Sequence, residues 1–402
     1  LPSFDEFVKE KTLFKNKDVL SPHFVPELLL HRDVEVRTVM RCVAPVLRDQ
    51  KASNLLIYGR TGTGKTASVK NVLHQLSERG SQKVRSVYMN CRVYDSRYKV
   101  LQKCISDFKP GFARTGYSFA VLYEEFLDWI ESENLNEPHK HVIIALDEID
   151  MVKDLDSLVY ALTRANDDLK KGSVSMIGVS NRVNFKNRLD ARSRSSLCEE
   201  ELVFSSYKAD QLRDILEDRV NDGFRDGVVK EGAVNLAAAI AASENGDARY
   251  ALSLLLRAGE LAQKRGKAKI VDALVEEARK LADEDTAFSV IGALPQHQQL
   301  LLYAIAGLAD DGHYKRLFTD DDGERLYFSG EVYERYVRIA KKTGKQPRTA
   351  RWYREYLSDL ETAGLVTTTR SGKGIRGHTT LIRLAYDADK VKRVIEKTLL
   401  SD

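Results

Sequence analysis

The run Gly59-Arg-Thr-Gly-Thr-Gly-Lys65-Thr66 has the residue types and spacing to hold a phosphate chain. Gly59, Gly62 and Gly64 let backbone N–H groups point into one concavity, because no Cβ blocks the approach. Thr61, Thr63 and Ala67 add neighbouring contacts. Lys65 places a charge on the β- and γ-phosphates, and Thr66 offers a hydroxyl to Mg²⁺. The run follows an expected strand and opens an expected helix, whose N-terminus adds partial positive charge. That context makes it a P-loop.

A second constellation closes Val142-Ile-Ile-Ala-Leu-Asp147-Glu148-Ile-Asp150. A buried apolar strand ending in two carboxylates is the Walker-B arrangement. Asp147 would hold Mg²⁺ through water, and Glu148 would orient and deprotonate the attacking water. Asp150 reads as a helix N-cap or a surface charge. Asn181 follows the Val/Ile-rich run Ser173–Ser180. Its amide either hydrogen-bonds the attacking water or is an ordinary strand-end turn residue. Two arginines are further candidates, or plain surface charges. Arg249, in Gly246-Asp-Ala-Arg249, would reach the phosphates if its helix folds over them. Arg192, in Leu189-Asp-Ala-Arg192, could serve a neighbour's γ-phosphate.

Positioning these groups takes a sheet. Short apolar runs at Asn54–Tyr58, Val84–Asn90, Val142–Asp147, Ser173–Ser180 and Glu201–Phe204 alternate with helical patterns. That alternation predicts a parallel five-stranded sheet covered on both faces, an α/β P-loop fold. Residues 1–50 read as an arm and one helix over Val34–Leu47. After Ser206 the apolar period becomes 3.6 over 208–222, 230–243, 247–264 and 268–283, which predicts an all-helical domain. From Leu294 the pattern is a helix at 296–309, an acidic loop, a helix at Ser329–Lys342 with Ser329 as N-cap, and a helix at Arg348–Ala363 closed by Gly364. Two strands, Leu365–Thr369 and Thr379–Ala385, then flank a basic tip. Three helices followed by a two-strand ribbon is the winged-helix pattern.

Composition narrows the partners. Formal charge is +4 over 402 residues. Between Arg335 and Arg383, however, twelve basic residues face only three acidic ones. A basic C-terminal block on an acidic body suggests a surface for a polyanion. Four cysteines without a C-x-x-C pair fit a reducing compartment. His139 and His141 could share a strand face, but no Cys or carboxylate set is seen to complete a metal site, so they read as a surface pair. No apolar run is long enough to span a bilayer and no signal peptide is visible; a cytoplasmic chain is the expectation. Leu1 stands where a Met would open a chain, an expected sign of a missing native N-terminus.

Taken together the motifs resemble the AAA+ branch of P-loop ATPases, and within it the archaeal Orc1/Cdc6 replication initiators. The resemblance rests on the P-loop, Leu146-Asp-Glu-Ile-Asp150, Asn181 as sensor 1, Leu189-Asp-Ala-Arg192 leading to Ser195-Ser-Leu, and Gly246-Asp-Ala-Arg249 as sensor 2. Pro26 to Arg32 is similar to the family's segment beside the adenine pocket, which implicates His31 and Arg32. Asn90-Cys-Arg92 resembles the start of the initiator-specific insertion. Ala191 departs from the family's frequent Pro, and Pro110 lies further upstream than its pattern.

The resemblance implies a nucleotide-binding domain over 1–206 with an insertion near 91–117, a lid over 207–290 and a winged-helix domain over 291–402. It implies ATP or ADP with Mg²⁺, held at Thr66 and Asp147, and a slow ATPase used as a switch. Double-stranded origin DNA is the expected partner, together with the replicative helicase and paralogous initiators, with no membrane. Expected DNA contacts are Arg348, Thr349, Arg351 and Arg354 on the recognition helix, Arg370, Lys373 and Arg376 on the wing, and Arg92, Arg97 and Lys99 on the insertion. The alternatives are a clamp-loader-like assembly ATPase and a signalling NTPase whose winged helix is a packing module.

Overall fold

The structure is a computed structural model that describes residues 12–22, 24–80, 82–109, 111, 116–132, 139–182, 185, 189–197, 199–310, 326–370 and 380–399. Residues up to 278 form one compact unit and residues from 279 a second.

In the first unit the order is α1 (Asp33–Val43), β1 (Leu55–Gly59), α2 (Lys65–Arg79), β2 (Val84–Asn90), α3 (Arg97–Phe108), α4 (Phe119–Glu131), β3 (His141–Asp147), α5 (Leu155–Asp168), β4 (Ser173–Ser180), α6 (Ala191–Leu197) and β5 (Glu200–Phe204). The five strands are parallel in the order β2-β3-β4-β1-β5. Alternation along each strand sends side chains to opposite faces. Ile143, Ala145, Ile177 and Val179 join Val69, Val72 and Leu76 of α2 and Val39 and Val43 of α1 on one face. Ile144, Leu146, Val174 and Met176 join Leu101, Leu122, Phe126, Leu158 and Leu162 on the other. Burial on both faces is why these strands read as continuous apolar runs. Between β2 and β3, α3 and α4 are capped by the hydroxyls of Ser96 and Ser118.

Four helices follow: α7 (Ala209–Gly223), α8 (Glu231–Glu244), α9 (Ala248–Lys264) and α10 (Asp272–Ala293). The apolar faces of α7, α8 and α9 and of the first turns of α10 share one cluster with Phe14 and Leu20 of the N-terminal arm. Phe14 lies against Phe224 with ring centroids 4.8 Å apart. The arm therefore packs into the helical cluster as well as leading into the sheet.

The second unit holds α11 (Gln296–Asp310), β6 (Tyr327–Phe328), α12 (Ser329–Lys342), α13 (Ala350–Thr362), β7 (Val366–Arg370), β8 (Thr380–Leu384) and α14 (Ala388–Leu399). Its sheet is antiparallel with three strands, β6-β8-β7, where two were expected. The extra strand is only two residues long, too short to carry a period. Ser329 is not an N-cap: Phe328 takes that position, and Ser329 Oγ lies 3.1 Å from the Tyr353 hydroxyl. The helix starts directly from a strand, so its first hydroxyl is free to tie α12 to α13. Gly364 (φ +70°) closes α13 in the left-handed conformation, with Leu365 N–H donating to Leu360 O. Tyr353, Leu357 and Leu360 of α13 point into the core, leaving Trp352 half exposed.

Candidate nucleotide site

β1 ends at Gly59 and α2 begins at Lys65, so the loop between them lies at the carboxyl edge of the sheet, where ligands of open α/β sheets bind. A cavity of about 450 Å³ opens there. Gly62, Thr63, Gly64, Lys65, Thr66 and Ala67 line it from the loop, with Asp147, Glu148, Asn181 and Arg249 from other elements. Leu28, Leu29, Leu30 and Leu252 give it an apolar wall. Gly64 stands at φ +91° at the head of α2, a conformation that a residue with a Cβ adopts at a cost. A Cβ on Gly62 would strike the Asp247 carboxylate.

Lys65 is buried, and its Nζ donates to Gly59 O at 2.9 Å and Arg60 O at 2.6 Å. Burial lowers its pKa to about 8, opposed by the charge of Asp147. Asp147 is the hub of the site. Its Oδ2 accepts from Thr66 Oγ1 at 2.7 Å and from the Tyr88 hydroxyl at 2.6 Å, and its Oδ1 accepts from Glu148 N–H at 2.9 Å. Burial, with the bond to Asp147, pushes the Tyr88 phenol well up, so it stays a donor. Glu148 holds a left-handed backbone (φ +52°) and its carboxylate pairs with Arg92. Arg249 follows Asp247, which caps α9 by accepting from Arg249 N–H and Tyr250 N–H.

Several expectations change in three dimensions. His31 and Arg32 do not line the cavity. The Arg32 guanidinium is spent on Thr63 O (2.9 Å), Ser205 O (2.6 Å) and Glu35 (2.8 Å), and it stacks on Tyr207. It braces the P-loop from behind. His31 Nε2 lies 2.9 Å from Asp214 of α7. Gly59 and Thr61 are also outside the lining residues. Asp150 is neither cap nor surface charge: it is buried, and its Oδ1 accepts from Ser180 Oγ at 2.8 Å, which pins the strand end before Asn181. A carboxylate does join His139 and His141, because the Nε2 atoms of both lie 2.8 Å from Asp49 Oδ1. Arg192 is exposed on α6, outside this cavity. Tyr88 was missed altogether; a tyrosine on an apolar strand gives no local signal of its partner.

Of the nucleic-acid candidates, Arg348, Thr349, Arg351 and Arg354 are exposed at the start of α13. Arg92, Arg97 and Lys99 each pair with an acid, respectively Glu148, Asp154 and Asp95. The Arg370 side chain, Lys373 and Arg376 lie outside the described residues. Among the described residues no helix is long and apolar enough to cross a membrane.

A P-loop after β1 of a five-stranded parallel sheet, a carboxylate pair at the end of β3 two strands away and an arginine from a helical segment define an AAA+ ATPase. Family models agree: an AAA domain matches residues 48–185, a Cdc6 AAA+ ATPase-type lid domain 213–280, and a CDC6 C-terminal winged helix domain 289–394. The ORC1-type DNA replication protein of Thermococcus kodakarensis is 38% identical over 400 residues, covering 97% of this chain and 92% of its own. That of Pyrococcus furiosus is 37% identical over 401 residues, covering 98% and 92%. The solved structure of the Aeropyrum pernix ORC1 protein in complex with DNA superposes with a TM-score of 0.73 at 36% identity, over 96% of this chain and 98% of that one. The chain belongs to the ORC1-type (Orc1/Cdc6) DNA replication protein family.

Proposed function

We propose that this protein is an ATP-regulated initiator of DNA replication. It grips double-stranded origin DNA through its winged helix and its 91–117 insertion, hydrolyses ATP slowly as a switch, and helps recruit or load the replicative helicase alongside paralogous initiators. It acts in the cytoplasm, on the nucleoid. The observation that carries this reading is the convergence of the P-loop, the Asp147–Glu148 strand end and Arg249 on one cavity.

Lys65 exchanges the carbonyls of Gly59 and Arg60 for the β- and γ-phosphates. Thr66 Oγ1 and Asp147 Oδ2, 2.7 Å apart, are the hard oxygen donors that Mg²⁺ favours. When bound, that ion supplies charge neutralisation on the phosphates. Tyr88 and the Glu148 N–H hold the Asp147 carboxylate in position. Glu148 takes a proton from the attacking water, and the Asn181 amide orients that water. Arg249 contacts the phosphates, which couples the helical segment to the nucleotide; Arg192 serves a neighbouring copy. ATP and ADP then favour different positions of that segment in proportion to their differential contacts.

The DNA reading is supported by the Aeropyrum pernix relative, solved in complex with DNA. Arg351 and Arg354 lie one helical turn apart on the exposed face of α13, suited to a groove, with Arg348 and Thr349 at its N-terminus for phosphates. Arg370, Lys373 and Arg376 extend the contact from the wing. The test has two arms. Lys65→Ala is expected to abolish nucleotide retention, and wild-type ATP affinity in that variant would remove the site. A footprint on DNA flanking the protein's own gene, with ATP and with ADP, is expected to show a protected tract; no salt-sensitive duplex binding would overturn the initiator reading.

A further inference from the structure

At the other end of β3 from Asp147 lies a second cluster, about 20 Å away along the strand at 3.3 Å per residue. Asp49, in the left-handed conformation (φ +60°), ends the short 3-10 helix Ala44–Arg48. His139 and His141 lie at the start of β3, two residues apart. The Nε2 atoms of both imidazoles stand 2.8 Å from one oxygen, Asp49 Oδ1. One ligand atom from each residue lies within 4.8 Å of the others.

The His141 ring is fixed. It is 4% exposed, and its Nδ1 lies 2.7 Å from Ser173 Oγ on β4. A serine hydroxyl either donates or accepts, so the ring changes tautomer without moving a heavy atom. With the proton on Nδ1, donated to Ser173, the Nε2 lone pair faces Asp49 and needs a cation between them. An outer hydrogen bond that sets the tautomer in this way is the usual support for a metal-bound imidazole.

The geometry points to a three-ligand site for a divalent transition-metal ion at Asp49, His139 and His141. Two imidazoles and one carboxylate suit Zn²⁺, Co²⁺ or Ni²⁺ over Mg²⁺ or Ca²⁺, which take oxygen sets. Zinc bond lengths of about 2.05 Å span each 2.8 Å nitrogen–oxygen pair with an angle near 86° at the ion. Asp49 is exposed and His139 only partly buried, so both have the freedom to close the remaining spread and leave an open coordination position. Lys83 Nζ holds the other oxygen, Asp49 Oδ2, at 2.6 Å. It orients the carboxylate, and its charge weakens the site. Bound metal would staple the turn after the 3-10 helix to the first residues of β3, stabilising the folded chain by mass action.

The test uses the full chain, stripped of metal with a chelator and free of nucleotide. Titration with Zn²⁺, and with Co²⁺ followed by visible absorption, is expected to show one equivalent bound and a rise in Tm. His139→Ala and Asp49→Asn should abolish both, and Ser173→Ala should weaken Zn²⁺ binding about tenfold. Lys83→Gln should tighten it by removing the neighbouring positive charge. Circular dichroism of each variant checks that it folds, and His139→Ala at the partly buried position keeps the test valid if Asp49→Asn does not. A wild-type chain that binds no Zn²⁺, or folded variants that bind it as well as wild type, would overturn the proposal.

Discussion

Lys65 illustrates how far burial moves a single group. Its ammonium sits among carbonyls inside the loop, and its pKa falls from 10.5 to about 8. Because the folded pKa lies below the unfolded one, the unfolded chain binds more protons between pH 8 and 10.5. The stability of the nucleotide-free protein therefore climbs over that window, and the cost of the buried charge is full below pH 8. Nucleotide affinity runs the other way, since only the ammonium neutralises phosphate. ATP affinity is expected to fall as pH rises through about 8, while Lys65→Arg should flatten the profile; calorimetric titration between pH 7 and 9.5 measures both. Glu148 gives a second prediction. The Arg92 guanidinium occupies the Glu148 carboxylate that must reach the attacking water. Phosphate-release assays should find Arg92→Ala faster by a few-fold and Glu148→Gln slower by roughly a hundredfold or more.

Two glycines with nearly the same backbone angle separate conformation from contact at the level of elements. Gly62 stands at φ +67° and Gly364 at φ +70°. A Cβ on Gly364 meets nothing within 4 Å, whereas one on Gly62 would fall 1.7 Å from Asp247 Oδ1. Ala248 N–H also donates to Gly62 O at 3.2 Å, so the P-loop and the start of α9 form one joint. Gly364→Ala should cost only the left-handed strain, about 1–2 kcal/mol, read from the urea midpoint. Gly62→Ala should cost more and also lower nucleotide retention, because α9 must move away. Equal losses in the two variants would mean that this joint contributes nothing. Asp150 acts at the same scale: by holding Ser180 it sets where β4 ends and so where Asn181 meets the cavity that Glu148 also lines.

Charge is distributed over the whole molecule unevenly. The net formal charge of +4 conceals a basic stretch over 335–383 in which Arg348, Arg351 and Arg354 are exposed. Removing one arginine–phosphate pairing should reduce the slope of log affinity against log salt by about one unit. Arg351→Ala and Arg354→Ala are the variants of choice, because neither side chain contributes to the cluster around Tyr353, Leu357 and Leu360. Fluorescence anisotropy on duplex at several salt concentrations reads the slope. An unchanged slope and affinity in both variants would remove α13 from the DNA surface.

What the sequence determined by itself was chemistry that is contiguous along the chain. The P-loop spans eight consecutive residues, so its glycine spacing and its Lys–Thr pair are legible in one window. β1, β3 and β4 were legible because strands buried along their whole length leave largely apolar runs, the edge strands β2 and β5 from shorter apolar signals, and Gly364 because a helix stop is local. Tertiary structure alone decided the rest. Parallel pairing that sets Asn90 beside Asp147 brings Tyr88 and Arg92 to the carboxylate pair from another strand. Folding turned Arg32 from an expected ligand contact into a brace, and carried Asp49 to two histidines some ninety positions away. A side chain's partners depend on which strands lie side by side and in what register, and periodicity within a segment carries no information about either.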